Sequence, residues 1–117
     1  MNTLTEKINH LNQLVLDGKV MDAFELYYHP EVAMQENEQA VTVGKEENRK
    51  RELDFFSNVT EFRKASVHRV AVGENTTMVE WEYDYTHKVY GVRNYKQVSV
   101  QEWKDGLIIF EKFYYPN

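Results

Sequence analysis

The chain has 117 residues, 42% of them hydrophobic, which suits one domain with a packed core and argues against disorder. A net charge of −5 without acidic or basic blocks argues against a nucleic-acid partner, and the absence of cysteine excludes disulfides and thiolate catalysis. The sequence begins without a signal-peptide pattern and has no apolar run near the about 20 residues of a membrane span, so we expect a cytoplasmic protein without a membrane partner.

The first part of the chain has a helical pattern. Thr3 and Glu6 have the spacing of a capping box, and apolar residues recur behind them at intervals of three and four. Gly18 then stands where a left-handed residue usually ends a helix. We expect Asp22 to cap a second helix over residues 23–28, with Pro30 just beyond its end.

A third helix is predicted over residues 45–57, after a short strand at residues 32–37 and a polar loop. Its charges are spaced for ion pairs at i,i+4, among them Glu47 with Arg51. Only a narrow apolar stripe marks this helix, so we expect it to cover the sheet along one edge.

Beyond residue 58 the hydrophobic period changes to two, which is typical of strands. Four long strands are predicted, over residues 61–72, 76–87, 93–104 and 107–115. Asp105 and Gly106 give a strong hairpin signal between the last two. Helices followed by an antiparallel meander predict an α+β fold, with three N-terminal helices packed on a mainly antiparallel sheet. Strands this long must twist and curve, so we expect a cone with an internal pocket.

Alternation along the strands assigns their inner and outer faces. If a two-residue turn joins Gly73 to Thr76, then His68 opposes Trp81 on the inner face of the sheet. The same alternation places more residues on that face, namely Tyr83, Tyr85, Tyr95, Gln97, Ser99, Gln101 and Trp103.

The outer face of the sheet carries an apolar strip. Val98 and Val100 point outward, and Ile108 and Phe110 join them if the hairpin loop has three residues. A monomer seldom exposes such a strip, so we expect a homodimer through the outer sheet face, burying about 800 Å² per partner. A helix packed on this face is the alternative.

Three parts of the sequence match a known pattern. Residues 24–37 (FELYYHPEVAMQEN) look like a helix that runs into a short strand, Gly44 looks like a helix-opening glycine, and residues 103–115 look like a closing hairpin. Together they resemble the SnoaL-like family of the nuclear transport factor 2-like, ketosteroid isomerase-like superfamily, whose domains have a cystatin-like α+β fold. The resemblance covers nearly the whole chain and implies one domain over residues 1–117, but the fold carries many functions.

The resemblance also allows a comparison with the isomerase site. Glu36 lies close to the position of the general-base Asp, whereas Ser99 falls near the neutral-acid Asp and cannot replace it. The first helix has no Tyr for the oxyanion site, and Glu111 stands where the family has an apolar pocket residue. Steroid isomerase chemistry is therefore not expected.

Glu36 and Glu111 are the first catalytic candidates. If both face the pocket, burial and like charge would separate their pKa values, so that one could abstract a proton beside a carbonyl group. In the alternative, Glu36 is exposed at the pocket rim and Glu111 pairs with Lys112, Arg93 or Arg69.

His68 is the third catalytic candidate, because an imidazole on the inner face could relay a proton at neutral pH. The alternative is a histidine at the core edge that is hydrogen-bonded to a Tyr or Gln. The four histidines are scattered without paired spacing, so no metal site is expected.

Polar and aromatic side chains together suggest a ligand pocket. Gln97, Ser99 and Gln101 form a polar stripe, and buried amides need hydrogen bonds from a ligand, ordered water or each other. The apolar walls would come from Trp81, Tyr83, Trp103 and Tyr115. No phosphate loop or nucleophile elbow is present in the sequence, and we expect no cofactor.

Two functions fit these observations. The first is a cofactor-independent acid–base enzyme of the isomerase, cyclase or dehydratase type, acting on a small apolar carbonyl compound. The second is a non-catalytic module for binding a small apolar or aromatic ligand or for dimerisation.

Overall fold

The computed structural model describes residues 3–116, and its first element is α1 (Leu4–Leu16). The predicted capping box is confirmed, since the Thr3 hydroxyl accepts from the backbone N–H of Glu6 and the Glu6 carboxylate accepts from that of Thr3. Gly18 has φ +78°, a conformation that favours glycine, and it reverses the chain after α1.

The second helix, α2 (Val20–Tyr27), begins earlier than predicted. Lys19 is its N-cap residue and Asp22 lies in the first turn, so the expected cap at Asp22 is wrong. The turn at Gly18 is tight enough for the Lys19 N–H to reach the carbonyl of Leu14, and the next helix therefore starts at once. The chain then passes directly into β1 (Tyr28–Glu36), a longer strand than expected.

A short strand, β2 (Thr42–Val43), leads into α3 (Lys45–Ser57), whose predicted bounds are confirmed. The expected pairing of Arg51 with Glu47 is wrong, because Arg51 turns towards β1 and binds other carboxylates. Asn48 is fully buried, and its Nδ2 atom lies within hydrogen-bond distance of the carbonyl oxygens of Val32, Thr42 and Gly44. A polar anchor thus attaches this helix to the edge of the sheet.

The rest of the chain is a meander of long strands. They are β3 (Val59–Val72), β4 (Thr76–His87), β5 (Gly91–Lys104) and β6 (Leu107–Tyr114). The six strands form one open mixed sheet in the order β2-β1-β6-β5-β4-β3, in which only β1 and β6 pair in parallel. The α+β fold with a mainly antiparallel sheet is confirmed. Within residues 3–116, no helix has the length and apolar character needed to cross a membrane.

Two of the bulges in the sheet affect residues whose faces were predicted from strict alternation. Val67 opposes Trp81 and Arg69 opposes Glu80, so His68 is the extra residue of a bulge in β3. Its Nε2 atom lies 2.7 Å from a carboxylate oxygen of Glu82, on the outer face. The prediction that His68 lies inside the cone is therefore wrong.

The second bulge lies in β6. Asp105 and Gly106 form a two-residue turn with φ +55° and +81°, and Trp103 pairs with Ile108 rather than with Leu107. Because the loop has two residues and not three, Ile108 shares the inward face of Trp103 and is fully buried. The register then shifts between Glu102 and Trp103, which makes Ile109 the extra residue of the bulge. The predicted outward direction of Ile108 is wrong, whereas Phe110 lies opposite Glu102 on the outer face.

The hydrophobic core lies between the helices and the inner face of the sheet. Its buried members come from α1, α2 and four of the strands, and they include Ile8, Leu11, Phe24, Val32, Met34, Val79, Trp81, Trp103 and Ile108. Burying each such side chain stabilises the fold by about 1.5–3 kcal/mol. Beside this core the curved sheet leaves a cavity.

Candidate functional site

The cavity has a volume of about 850 Å³ and lies between the three helices and the inner face of the sheet. This volume is within the range that small-molecule sites occupy. Exposed apolar side chains surround its mouth, namely Phe56, Phe62, Val89 and Tyr90. At the other end lies Glu111, which is only 3% exposed, so we call this the deep end of the cavity.

A chain of buried hydrogen bonds positions Glu111. The Trp103 indole Nε1 donates to the Thr77 hydroxyl over 2.8 Å, and this hydroxyl donates to Oε1 of Gln101 over 2.7 Å. Gln101 then donates from Nε2 to Oε2 of Glu111 over 2.7 Å. Because an indole N–H can only donate, the direction of the whole chain is set, and the amide of Gln101 must present its nitrogen to Glu111.

The other oxygen of Glu111 accepts a short hydrogen bond from the hydroxyl of Tyr28. Tyr28 is the first residue of β1, and the parallel pairing of β1 with β6 brings it beside Glu111. Glu111 is therefore held on both oxygens by neutral donors, and none of its hydrogen-bond partners carries a positive charge.

Burial raises the pKa of Glu111 to about 7, against an ordinary value of 4.5. The hydrogen bonds from Tyr28 and Gln101 act in the opposite direction, and the carboxylates of Glu52 and Glu36 add to the rise. At neutral pH the Glu111 carboxyl is thus divided between its protonated and ionised forms. A group with this property is suited to both accepting and returning a proton.

Two further carboxylates share one arginine near the deep end. Arg51 binds Oε2 of Glu36 from Nη1 over 3.0 Å and Oε1 of Glu52 from Nη2 over 3.1 Å. The hydroxyl of Tyr115 donates to the other oxygen of Glu36 over 2.9 Å. Burial raises the pKa of Glu52 to about 7, because the attraction of Arg51 only partly offsets the loss of water and the repulsion from Glu36.

Aromatic rings form the walls of the cavity. Trp81 and Tyr83 stack almost parallel, with centroids 5.4 Å apart and an interplanar angle of 10°. The hydroxyls of Tyr85 and Tyr95 lie 2.8 Å apart, and the ring of Tyr95 packs on that of Tyr115. Burial raises the pKa of Tyr83 and Tyr95, so both phenols stay protonated at neutral pH.

The cavity brings together most of the residues that the sequence singled out. Those that line it are Glu36, Trp81, Tyr83, Gln97, Ser99, Gln101, Glu111 and Tyr115. Trp103 instead lies in the core, where it donates to Thr77. His68 is on the outer face of the sheet, so its proposed proton relay has no access to the cavity.

The alternative partners considered for Glu111 are also wrong. Lys112 binds Glu38, Arg69 binds Glu80, and Arg93 donates to the carbonyl of Pro116, so none of these cations reaches Glu111.

Four residues of the site were missed in the sequence: Tyr28, Arg51, Glu52 and Thr77. Arg51 and Glu52 stand in a helix whose charge pattern is typical of a solvated face, and only the packing of α3 shows that they turn inward. Strand alternation gives Thr77 the same face as Trp81, but no local signal indicates its bond to Gln101. In the part of the chain that the structure describes, no group of three or more His, Cys, Asp or Glu is arranged to hold a metal ion.

Comparison with known protein families identifies the family of the chain. The model of the SnoaL-like domain matches residues 3–115. The chain belongs to the SnoaL-like family. No functionally curated protein matches the sequence.

Solved structures agree with this assignment. A candidate SnoaL-like polyketide cyclase from Mesorhizobium loti, which also carries the designation carbohydrate phosphatase, is 26% identical with a TM-score of 0.88, covering 97% of this chain and 99% of the other. A candidate SnoaL-like polyketide cyclase from Jannaschia sp. CCS1 is 12% identical with a TM-score of 0.79, covering 94% and 85%. An NTF-2-like protein of unknown function from Burkholderia xenovorans LB400 is 18% identical with a TM-score of 0.77, covering 97% and 82%. The last two similarities show the fold alone.

Proposed function

We propose that this SnoaL-like protein is a cofactor-independent acid–base enzyme that acts on a small, largely apolar carbonyl compound. Glu111 is the group that removes and returns the proton. The observation that carries the proposal is the position of this buried carboxyl at the deep end of a ligand-sized, aromatic cavity. A pKa of about 7 lets Glu111 act in both directions at neutral pH.

Hydrogen bonds at Glu111 leave room for the substrate. A carboxylate has about four lone-pair positions, and Tyr28 and Gln101 occupy one on each oxygen. A remaining lone pair can accept a proton from the carbon beside the carbonyl group. The two donors hold the carboxylate in place, which favours a productive geometry without further ordering on binding.

Tyr83 is the proposed donor to the carbonyl oxygen. It lines the cavity, and its hydroxyl has no hydrogen-bond partner among residues 3–116. Burial, and then the charges of Glu111 and Glu52, raise the pKa of Tyr83, so its hydroxyl keeps its proton at neutral pH. A protonated phenol beside the base can stabilise the negative charge that develops on the substrate oxygen.

Glu36 has a supporting part in this proposal. One of its oxygens is bound by the guanidinium of Arg51, whereas the partners of Glu111 are neutral, so Glu111 and not Glu36 is the proposed base. We propose that Glu36 positions Arg51, which in turn holds Glu52 over the cavity.

Hydrogen exchange at the carbon beside a carbonyl group tests the proposal, whatever product the enzyme forms. Aryl ketones and β-keto esters are incubated with the protein in D₂O, and loss of the proton signal is followed by NMR. Wild-type protein should accelerate exchange, Glu111→Gln should return it to the buffer rate, and Tyr83→Phe should slow it about 100-fold. Glu25→Gln, which changes an exposed carboxyl of α2, is the matched control and should exchange like the wild type.

The second candidate function is a non-catalytic binding module. It is favoured by the occupation of both Glu111 oxygens by hydrogen bonds, which is also what a purely structural buried carboxyl would show. The same NMR samples separate the two functions. A ketone that binds to the protein, as judged from Trp fluorescence, but exchanges at the buffer rate would contradict the enzyme and support the binding module.

A further inference from the structure

The deep end of the cavity has more negative than positive groups. Three carboxylates, Glu36, Glu52 and Glu111, line this part of the cavity, and Arg51 pairs with the first two of them. Arg51 uses its two terminal nitrogens on Glu36 and Glu52, and the partners of Glu111 are neutral. A ligand that fills this end of the cavity therefore meets carboxylates that lack a full set of cationic partners.

Unused hydrogen-bond acceptors also face the cavity. Gln97 is only 8% exposed, and its Nε2 donates to the Ser99 hydroxyl, whereas its Oε1 has no partner among the described residues. Oε2 of Glu52 likewise accepts no hydrogen bond within residues 3–116. Both atoms are accessible from the cavity, so a ligand that displaces water from them and from the free lone pairs of Glu111 should supply N–H donors in its place.

The ring pair of Trp81 and Tyr83 adds a third feature that favours a cation. The face of an aromatic ring carries partial negative charge and attracts an ammonium group, most strongly where water is excluded. Tyr83 lines the same cavity as Glu52 and Glu111. Carboxylates and aromatic faces thus surround the same volume.

We propose that the deep end of the cavity binds a protonated amine between Glu52 and Glu111. The substrate class is then an amino carbonyl compound with an aromatic or apolar body. That this compound is a substrate rests on the proposed acid–base function, whereas the ammonium site itself does not require catalysis. A metal cation is not the ligand proposed, because the donors are spread over a wall of the cavity together with aromatic rings.

Binding of an ammonium group would change the ionisation of the site. A positive charge within about 4–6 Å lowers the pKa of a carboxyl by about 1–3 units, so the amine should drive Glu52 and Glu111 to their ionised forms. Binding of the substrate would thus convert Glu111 to the carboxylate form that accepts a proton. By linkage, the amine binds more tightly where these carboxyls are already ionised, at pH above about 7.

Other charged or titratable groups around these two carboxyls enter the pH dependence. On the elements packed against them these groups are Tyr28, Glu36, Arg51, Tyr83 and Tyr115, and near the mouth they are Asp54, His87 and Arg93. Burial raises the pKa of Tyr28, Tyr83 and Tyr115, so these phenols stay neutral between pH 6 and pH 8. His87 is held by the Phe55 carbonyl and by the backbone N–H of Val89, away from the deep end, and a His87→Gln variant isolates its contribution.

The test compares 2-phenylethylamine with 2-phenylethanol, its neutral counterpart of similar shape. Dissociation constants are measured by Trp fluorescence and by titration calorimetry at pH 6, 7 and 8. At pH 8 the amine should bind at least about tenfold more tightly than the alcohol. From pH 8 to pH 6 the affinity for the amine should fall about 10-fold if one carboxyl must ionise and about 100-fold if two must ionise. The affinity for the alcohol should stay constant.

Calorimetry in buffers of different ionisation enthalpy gives a second readout. At pH 7 the amine should release protons on binding and the alcohol should release none. Glu52→Gln and Glu111→Gln should each weaken amine binding about tenfold or more without weakening the alcohol. Glu25→Gln changes an exposed carboxyl outside the cavity and should bind both ligands like the wild type.

Equal affinity for amine and alcohol, no binding of the amine at millimolar concentration, or amine affinity that rises as pH falls would each overturn the proposal. The outcome is independent of the exchange assay. Amine binding without proton exchange contradicts only the acid–base function, whereas exchange of neutral ketones with no preference for the amine contradicts only the ammonium site.

Discussion

Replacing Glu111 with glutamine should change how the stability of the protein depends on pH. In the unfolded chain this carboxyl has its ordinary pKa of 4.5, whereas burial raises the pKa in the folded protein to about 7. Below pH 4.5 it is protonated in both states. Between pH 4.5 and 7 the unfolded chain releases the proton and the folded protein keeps it, so the free energy of unfolding falls as pH rises.

The size of the effect follows from the two pKa values. Their separation corresponds to about 3 kcal/mol, lost progressively up to pH 7 and fully lost above it. Glu111→Gln has no carboxyl at this position and keeps a side chain of the same shape. We therefore expect the variant to match the wild type near pH 4.5 and to exceed it by about 2–3 kcal/mol at pH 8.

Urea unfolding followed by Trp fluorescence measures this difference at half-unit steps of pH. Glu25→Gln is the matched control, because the hydrogen bond and charge of Arg49 lower the pKa of Glu25. That carboxyl loses its stabilising effect only as pH falls below its ordinary range, so the curves of the control and the wild type should run parallel from pH 5 to 8. A difference between Glu111→Gln and the wild type that does not change with pH would refute the reasoning.

Two further substitutions test the hydrogen-bond chain and the outer face. Thr77→Val leaves both the Trp103 indole and Oε1 of Gln101 unpaired, so it should lower the free energy of unfolding by about 2–4 kcal/mol in urea titrations. Thr77→Ser keeps the hydroxyl and should retain most of the wild-type stability. We also propose the homodimer expected from Val98 and Val100, which lie with the 45%-exposed Met78 on the outer face. Val100→Glu should then give a monomer by light scattering. Val92→Glu, at the exposed end of the strand, should remain a dimer. A wild-type protein that is monomeric at micromolar concentration would contradict the dimer.

Much of the fold could be predicted because its signals are local. The bounds of α3 and β4 agree with the prediction, and the capping box at Thr3 and the hairpin turn at Asp105 depend on residues within a few positions of each other. Alternation also placed the side chains of β5 correctly, since this strand has no bulge against β4. Helix periodicity, turn residues and strand alternation are properties that a single segment carries by itself.

The candidate site depends on contacts between distant segments. Tyr28 and Glu111 are 83 residues apart in the chain, and only the parallel pairing of β1 with β6 makes them neighbours. Likewise, Glu52 faces the cavity because the packing of α3 on β1 turns that side of the helix inward. Neither arrangement leaves a periodic signal in the sequence.

The sequence by itself determined the α+β class, the family pattern and the polar stripe of Gln97, Ser99 and Gln101 on one face of a strand. Only the tertiary structure decided which carboxylates meet and that His68 lies outside. A single extra residue in a strand moves every following side chain to the opposite face, and the sequence does not show where the partner strand accepts that bulge. The ionisation of Glu111 was decided at the same level, because its pKa depends on burial and on charges brought from other elements.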